Sequence, residues 1–364
     1  MKVLIVFNHP APYKINFFNE LSKSIDLTVI FERVKERDRS KLFYSEKKCD
    51  FKVEKINGIS FGNENYYSND VVKHLKKNKY DLIIMNGYST IAEMKAIRYL
   101  RKHNMKYVMY INGGIIKTNE PKWKKNLKTK YLSNASYYFS PDNRSNKYLE
   151  YYGADPKVIL NYPYSTIHEN EIVSSRLTKE EIENKRKELG YECKNLYVSC
   201  GQLIKRKNYF ELIKVWKDQP NDNLLLIIGD GKEEAKYEEY IKENNMTNVK
   251  IVGFLPRKSI FEIYQISDAF VFSSHEDIYG HVINEALSQG IPVISTPNVN
   301  ASQHLIKNGV NGYIINSIDS DEFKKSIDKV LTINAFEECI KTAKENTYEI
   351  MAKEFLAILE RVAK

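Results

Sequence analysis

Two doubly wound α/β domains are predicted for this chain by three observations. Short apolar runs alternate with helical stretches, the alternation restarts after residue 165, and 364 residues are enough to bury two separate cores. The first strands are read at Val3 to Phe7, Leu27 to Phe31, Asp81 to Met85, Tyr107 to Ile111 and Tyr137 to Phe139. The second set is read at Leu196 to Ser199, Leu224 to Ile228, Val249 to Val252, Ala269 to Phe272 and Pro292 to Ser295. Strands separated by amphipathic helices pair in parallel through right-handed crossovers. Between the sets lies Asn161-Tyr162-Pro163-Tyr164-Ser165, followed by a polar stretch that suits a linker. The expected domains are 1–165 and 166–346, followed by a terminal helix over 347–364. Ligands in such folds bind beyond the carboxyl ends of the strands, so two domains facing each other are expected to enclose a cleft.

With 42% hydrophobic and 28% charged residues the composition is that of a soluble globular protein. The first strand begins almost at once, with no charged leader or cleavage site, and no apolar stretch approaches about 18 residues, so neither a signal peptide nor a membrane span is expected. Cys193 and Cys200 fit neither a zinc nor a redox spacing, and Cys49 and Cys339 stand far apart; all four read as reduced thiols of a cytoplasmic protein. The net charge of +9 is uneven: residues 1–160 hold 30 Lys+Arg against 16 Asp+Glu, whereas the remainder holds 26 against 31. Lys47-Lys48, Lys76-Lys77 and the run Lys122, Lys124, Lys125, Lys128, Lys130 suit an anionic lipid surface or an acidic acceptor, or are solvated helix faces. No recognisable nucleic-acid-binding motif accompanies them.

The most informative segment is Ser274-His275-Glu276-Asp277-Ile278-Tyr279-Gly280-His281-Val282-Ile283-Asn284-Glu285-Ala286. It follows the buried run Ala269-Phe270-Val271-Phe272 and leads into a helical face of Val282, Ala286 and Leu287, so Gly280 falls at a strand-to-helix turn. Around Tyr279, Gly280, His281 and Val282 the first helical amides and the helix dipole favour an anion such as a diphosphate. Glu285, one turn on, can accept hydrogen bonds from ribose hydroxyls, and Asp277, in the loop, is free to face a sugar. The alternative is an ordinary βα loop carrying solvated acids.

A second basic loop, Gly201-Gln202-Leu203-Ile204-Lys205-Arg206-Lys207-Asn208, follows the strand ending at Cys200 and precedes a helix from Tyr209. Cations there can neutralise a diphosphate both in a bound donor and as it departs. Gly229-Asp230-Gly231 ends the next strand in a tight turn that lets backbone approach a ligand. In the first domain, Asn8-His9-Pro10-Ala11-Pro12-Tyr13-Lys14 links a strand to a helix, and Asn112-Gly113-Gly114 ends another strand. Tyr13 or His9 can stack on or hydrogen-bond to a sugar. His275, His281 and His304 match no metal spacing, so no metal site is expected.

Taken with Gly290-Ile291-Pro292-Val293-Ile294, the acid at Asp277, the seven residues after it and Glu285-Ala286 resemble the nucleotide-sugar signature of the group 1 glycosyltransferases, the retaining family 4 enzymes of GT-B fold. The resemblance implies two Rossmann-like domains, Asp277 and Glu285 as the acids of that signature, and Lys207 as the phosphate lysine, with Arg206 beside it. The family's arginine falls on Gln202, and its usual first acid, glutamate, is aspartate here. Gly201-Gln202-Leu203 match the start of the family's donor-side Gly-Arg-Leu pattern, the Gly229-Asp230-Gly231 turn the floor of the donor pocket, and Gly253-Phe254-Leu255-Pro256 the place where main chain holds the nucleobase edge. Thr296 to Ser302 matches a loop that is usually glycine-rich. His9 and Tyr13 match the acceptor-side loop, and Asn112, with Gly113 and Gly114, stands where many relatives have histidine. The resemblance also implies that the last helix, Tyr348 to Val362, crosses back to the first domain. Asp319-Ser320-Asp321 mimics the metal-binding acids of a different glycosyltransferase fold but precedes Glu322 as a helix cap does.

The activity implied is transfer of a sugar from a nucleoside diphosphate donor to a hydroxyl of a glycan or lipid-linked acceptor, with retention and without a metal or other cofactor. The leaving phosphate then helps deprotonate the acceptor. Two rivals remain: a nucleotide-sugar epimerase on the same fold, and a non-catalytic sugar-nucleotide-binding protein.

Overall fold

The computed structural model describes residues 1–33, 48–61, 65–318 and 321–363; Lys47, Asp319 and Ser320 lie outside them. The chain divides into two compact units, one of Met1–Thr166 with Tyr348–Lys364, the other of Ile167–Thr347.

The first unit runs β1 (Lys2–Phe7), α1 (Pro12–Ser22), β2 (Asp26–Phe31), β3 (Lys52–Lys55), β4 (Ile59–Phe61), β5 (Asn65–Tyr67), α2 (Asp70–Lys77) and β6 (Leu82–Met85). It continues through α3 (Ile91–Lys102), β7 (Val108–Tyr110), α4 (Lys122–Leu132), β8 (Tyr137–Ser140), α5 (Asn143–Tyr151) and β9 (Ile159–Asn161). Its sheet has the order β3-β2-β1-β6-β7-β8-β9, all parallel, with Leu4 opposite both Thr28 and Ile83. The β4 and β5 strands form a separate antiparallel pair. Pro12 opens α1, where its missing N–H costs nothing. Thr90 opens α3 in a reciprocal cap: its Oγ1 accepts from Glu93 N at 3.0 Å while Glu93 Oε2 accepts from Thr90 N at 3.1 Å.

The second unit runs α6 (Lys179–Glu188), β10 (Asn195–Cys200), α7 (Tyr209–Trp216), β11 (Asn223–Ile228), α8 (Glu234–Glu243), β12 (Val249–Ile251) and α9 (Arg257–Ile266). It ends with β13 (Ala269–Phe272), α10 (Val282–Ser288), β14 (Val293–Ser295), α11 (Asn300–Leu305), β15 (Gly312–Ile314), α12 (Asp321–Val330) and α13 (Phe336–Lys344). The sheet order β12-β11-β10-β13-β14-β15 is again parallel throughout. Every side chain of β11 and β13 is buried, which is why these strands read as unbroken apolar runs. The last helix, α14 (Tyr348–Ala363), packs on α1 and completes the first unit, with Phe355 5.2 Å from the Phe17 ring. Among the described residues no helix is long and apolar enough to cross a membrane.

The segment just before the polar stretch belongs to the first unit. Tyr162 and Tyr164 are 1% and 2% exposed, and the Tyr162 hydroxyl donates to the Ile111 carbonyl at 2.8 Å, so this segment packs into the first unit. Its tyrosines supply apolar ring area that outweighs the turn signal of Pro163.

In both sheets the crossover direction reverses once, between β1 and β6 and between β10 and β13. Loops at such a reversal diverge beyond the strand ends and leave a crevice for ligand. The loops after β10 and β13 carry Lys207 and Asp277; the loop after β1 carries His9.

Candidate active site

In the second unit the two loops at the reversal are fastened to each other. His275 N donates to Arg206 O at 3.0 Å, Ser273 Oγ to Lys207 O at 2.9 Å and Ser274 Oγ to Arg206 O at 3.2 Å. This brings three charges together. Lys207 Nζ lies 2.5 Å from Asp277 Oδ2, and Arg206 donates through one nitrogen to the same oxygen at 3.1 Å and to Glu276 O at 2.8 Å. Asp277 is thus held by cations rather than free to face a sugar, because a carboxylate this enclosed is stable only when paired. Glu276, its neighbour, enters the constellation through its main-chain carbonyl.

The loop after β14 buttresses Asp277: its N–H donates to Asn298 O at 3.1 Å, and Tyr279 N donates to Asp277 Oδ1 at 3.2 Å. Gly280 has φ +96°, and a Cβ there would fall 2.4 Å from the Val299 side chain, so the turn into α10 requires glycine. Tyr279 is buried with its ring 4.9 Å from His281.

Burial works to raise the Asp277 carboxyl, but the Lys207 and Arg206 charges overcome it and bring it down to about 2. Burial lowers the Lys207 ammonium, an effect Asp277 opposes; the Phe272 ring lies 4.4 Å from Nζ. Two cations share one carboxylate, so the cluster keeps net positive charge for an anionic ligand.

Gly201 and Gly229 bring the ends of β10 and β11 together: a Cβ on Gly229 would fall 2.0 Å from Gly201 O. Gly229 N in turn donates to Gly253 O at 2.8 Å, which aligns the Gly253-Phe254 loop beside this floor. Phe254 is 38% exposed. Gln202 contributes its carbonyl to the turn, accepting from Ile204 N at 2.9 Å. Glu285, on α10, accepts from Arg257 at 2.5 Å, and Arg257 also grips Glu171. Sequence reading did not single out Arg257, whose only local signal is its place directly after the Gly253-Pro256 loop.

The first unit holds a different cluster. Lys14, in the first turn of α1, is fully buried, with Nζ 2.6 Å from the Tyr110 hydroxyl and 2.6 Å from Asn112 Oδ1. The Tyr164 ring lies 4.2 Å from the same nitrogen, and burial pushes the ammonium well below its usual range. Lys14 therefore fixes the Asn112 amide, whose Nδ2 reaches Asn86 Oδ1 at 3.3 Å. His9 is buried, and Tyr13, whose ring lies 5.8 Å from Lys14 Nζ, is half-buried. Gly113 and Gly114 continue from Asn112, and Gly114 lies against the Tyr148 ring. The sequence passed over Lys14 because it sits among Ile15, Phe17 and Phe18 with no charged partner nearby.

Residues 180–348 match the family described as Glycosyl transferases group 1. Spore coat protein SA of Bacillus subtilis (strain 168) is 25% identical over 303 residues, covering 77% of each chain. The UDP-Gal:alpha-D-GlcNAc-diphosphoundecaprenol alpha-1,3-galactosyltransferase of Escherichia coli is 31% identical over 150 residues, covering 38% of each. Among solved structures, Anabaena HepE in complex with UDP superposes with a TM-score of 0.78 at 17% identity, covering 99% of this chain and 100% of that one. The architecture is the GT-B fold, with two Rossmann-like halves.

Proposed function

We propose that this protein, which belongs to the group 1 glycosyltransferases by the match of its residues 180–348, transfers a sugar from a nucleoside diphosphate to a hydroxyl of a glycan or lipid-linked acceptor with retention. The observation that carries this reading is the cluster of Lys207 and Arg206 on Asp277, at the reversal of the second sheet. A diphosphate entering there meets two cations and the main-chain amides of the adjoining turn. As the bond to the sugar breaks, negative charge grows on the phosphate, and a fixed lysine stabilises that state more than the ground state. Asp277, drawn down to about 2, stays ionised at neutral pH and keeps Lys207 aligned.

On this reading Glu285 receives the ribose, the Gly229–Gly253 floor lies under the nucleotide, and Asn112, with His9 and Tyr13, serves the acceptor. Lys207 and Arg206 balance the phosphates without a metal. Support for the donor class comes from HepE, whose structure holds UDP, and from the E. coli relative, named for UDP-Gal. That relative's diphosphoundecaprenol-linked acceptor favours a place in bacterial surface polysaccharide or glycoconjugate synthesis. A lipid-linked acceptor also gives the basic first unit a role at an anionic membrane.

The test is a matrix of nucleotide sugars against lipid-linked and soluble glycan acceptors, with the product's anomeric configuration read by NMR. Retained configuration is expected. An epimer of the donor formed without acceptor, or binding with no turnover, would overturn the reading.

A further inference from the structure

Glu285 is set from outside its own helix. The guanidinium of Arg257, the first residue of α9, lies between two carboxylates. Nε donates to Glu171 Oε1 at 2.8 Å and one terminal nitrogen to Glu171 Oε2 at 3.2 Å; the other terminal nitrogen donates to Glu285 Oε1 at 2.5 Å. Such a planar fork transmits orientation, because two bonds to one acid fix the plane in which the third must point. The Phe261 ring beneath the guanidinium, 4.4 Å away, holds that plane.

Glu171 is itself anchored. Its Oε2 accepts from His168 N at 2.7 Å and its carbonyl accepts from Gln289 Nε2 at 2.8 Å, while Val173 N donates to Ser288 O at 3.1 Å. The short turn around Glu171 is therefore docked on the end of α10, the helix that carries Glu285. Arg257 closes a ring of contacts from α10 through this turn to α9 and back to α10.

We infer that Arg257 is a positioning residue for the nucleotide ribose: it fixes one oxygen of Glu285 so that the carboxylate is presented to the ribose hydroxyls in one orientation. The inference rests on the reading of Glu285 as the ribose acid. It gives this chain an arginine at the donor site although Gln202 replaces the arginine of the motif, and it assigns Glu171 the task of holding that arginine.

The experiment titrates UDP, ADP and GDP by calorimetry and takes the tightest forward with its 2′-deoxy form, for wild type, Arg257→Gln, Arg257→Lys, Glu171→Gln and Glu285→Gln. Wild type is expected to prefer the ribonucleotide. Arg257→Gln should weaken it by about tenfold or more and bring the ribo-to-deoxy ratio towards one, the size expected when a charged hydrogen bond loses its geometry. Arg257→Lys should recover part of the ratio, and Glu171→Gln should lose a smaller share. A purely structural arginine would lower thermal stability and leave the ratio intact; that outcome, with the ratio lost in Glu285→Gln, overturns the inference alone. A ratio intact in Glu285→Gln, or no binding of any diphosphate by wild type, overturns the donor reading beneath it. Should Arg257→Gln fail to fold, Glu171→Gln and Arg257→Lys decide by the same ratio.

Discussion

Lys207 and Asp277, 70 positions apart in the chain, meet at 2.5 Å between side chains that are 10% and 15% exposed. Neither loop supplies a stable place for its charge alone: a buried ammonium or carboxylate without a partner costs several kcal/mol. Each therefore makes the other's position possible, and the pair fixes the spacing of the loops after β10 and β13.

Removing Lys207 should be costly to catalysis. Lys207→Ala is expected to lower turnover by about 10² to 10³, the loss found when one donor to a developing oxyanion is removed. Arg206, with a side chain 38% exposed, should matter less. Steady-state kinetics with a turned-over nucleotide sugar checks this, and an effect confined to Arg206→Ala would reassign the phosphate cation.

The pair should also leave a pH signature in stability. Asp277 titrates near 3.8 unfolded and about 2 folded, so its contribution is fully present above about pH 4 and fades as pH falls through 2. The shift corresponds to on the order of 2 kcal/mol at neutral pH. A double-mutant cycle of Lys207→Met and Asp277→Asn, followed by urea unfolding, should give a constant coupling between about pH 5 and 7 that shrinks below 4. A coupling insensitive to acid would mean that Asp277 is not the titrating partner.

Activity should survive a chelator, since Lys207 and Arg206 offer two cations to the phosphates beside one carboxylate. Equal rates with and without EDTA are expected. Loss with EDTA and recovery with Mg²⁺ or Mn²⁺ would contradict the proposal and return attention to Asp321, at the start of α12.

What the sequence disclosed followed from how strongly each feature is written locally. The buried strands β1, β2, β6, β10, β11 and β13 stand out because the residues covered on both faces by helices are almost all apolar, with Thr28 and Ser199 among the few exceptions. The edge strands β3, β9 and β15 escaped because partial exposure leaves them no continuous apolar run, whereas β7 and β14, equally short as β9 and β15, are wholly buried and were legible. In the site, Lys207, Asp277 and Glu285 lie in contiguous segments with recognisable turns. Arg257 and Lys14 do not: their partners Glu171 and Asn112 lie 86 and 98 positions away, and only the fold brings them together.

Helix α4 carries an exposed aromatic side chain among lysines. Trp123 is 64% exposed, flanked by exposed Lys122 and Lys124, with Lys130 further along and Ile116 exposed just before the helix. Lys128 is turned inward, 2.8 Å from Glu120, and the Lys125 ammonium lies 4.1 Å from the Tyr151 ring, so the basic face is narrower than the lysine run implies. An indole beside lysines suits the boundary of an anionic bilayer, where each basic residue contributes about 1 kcal/mol. Binding should be peripheral and should weaken as salt shortens the screening length. The chain has two tryptophans and Trp216 is fully buried, so a blue shift of fluorescence on adding acidic liposomes at low salt reports Trp123. Trp123→Ala should abolish the shift, and changing Lys122, Lys124 and Lys130 to Ser should weaken sedimentation with the vesicles. Equal behaviour with neutral and acidic liposomes would refute a membrane face here and leave α4 as a solvated helix.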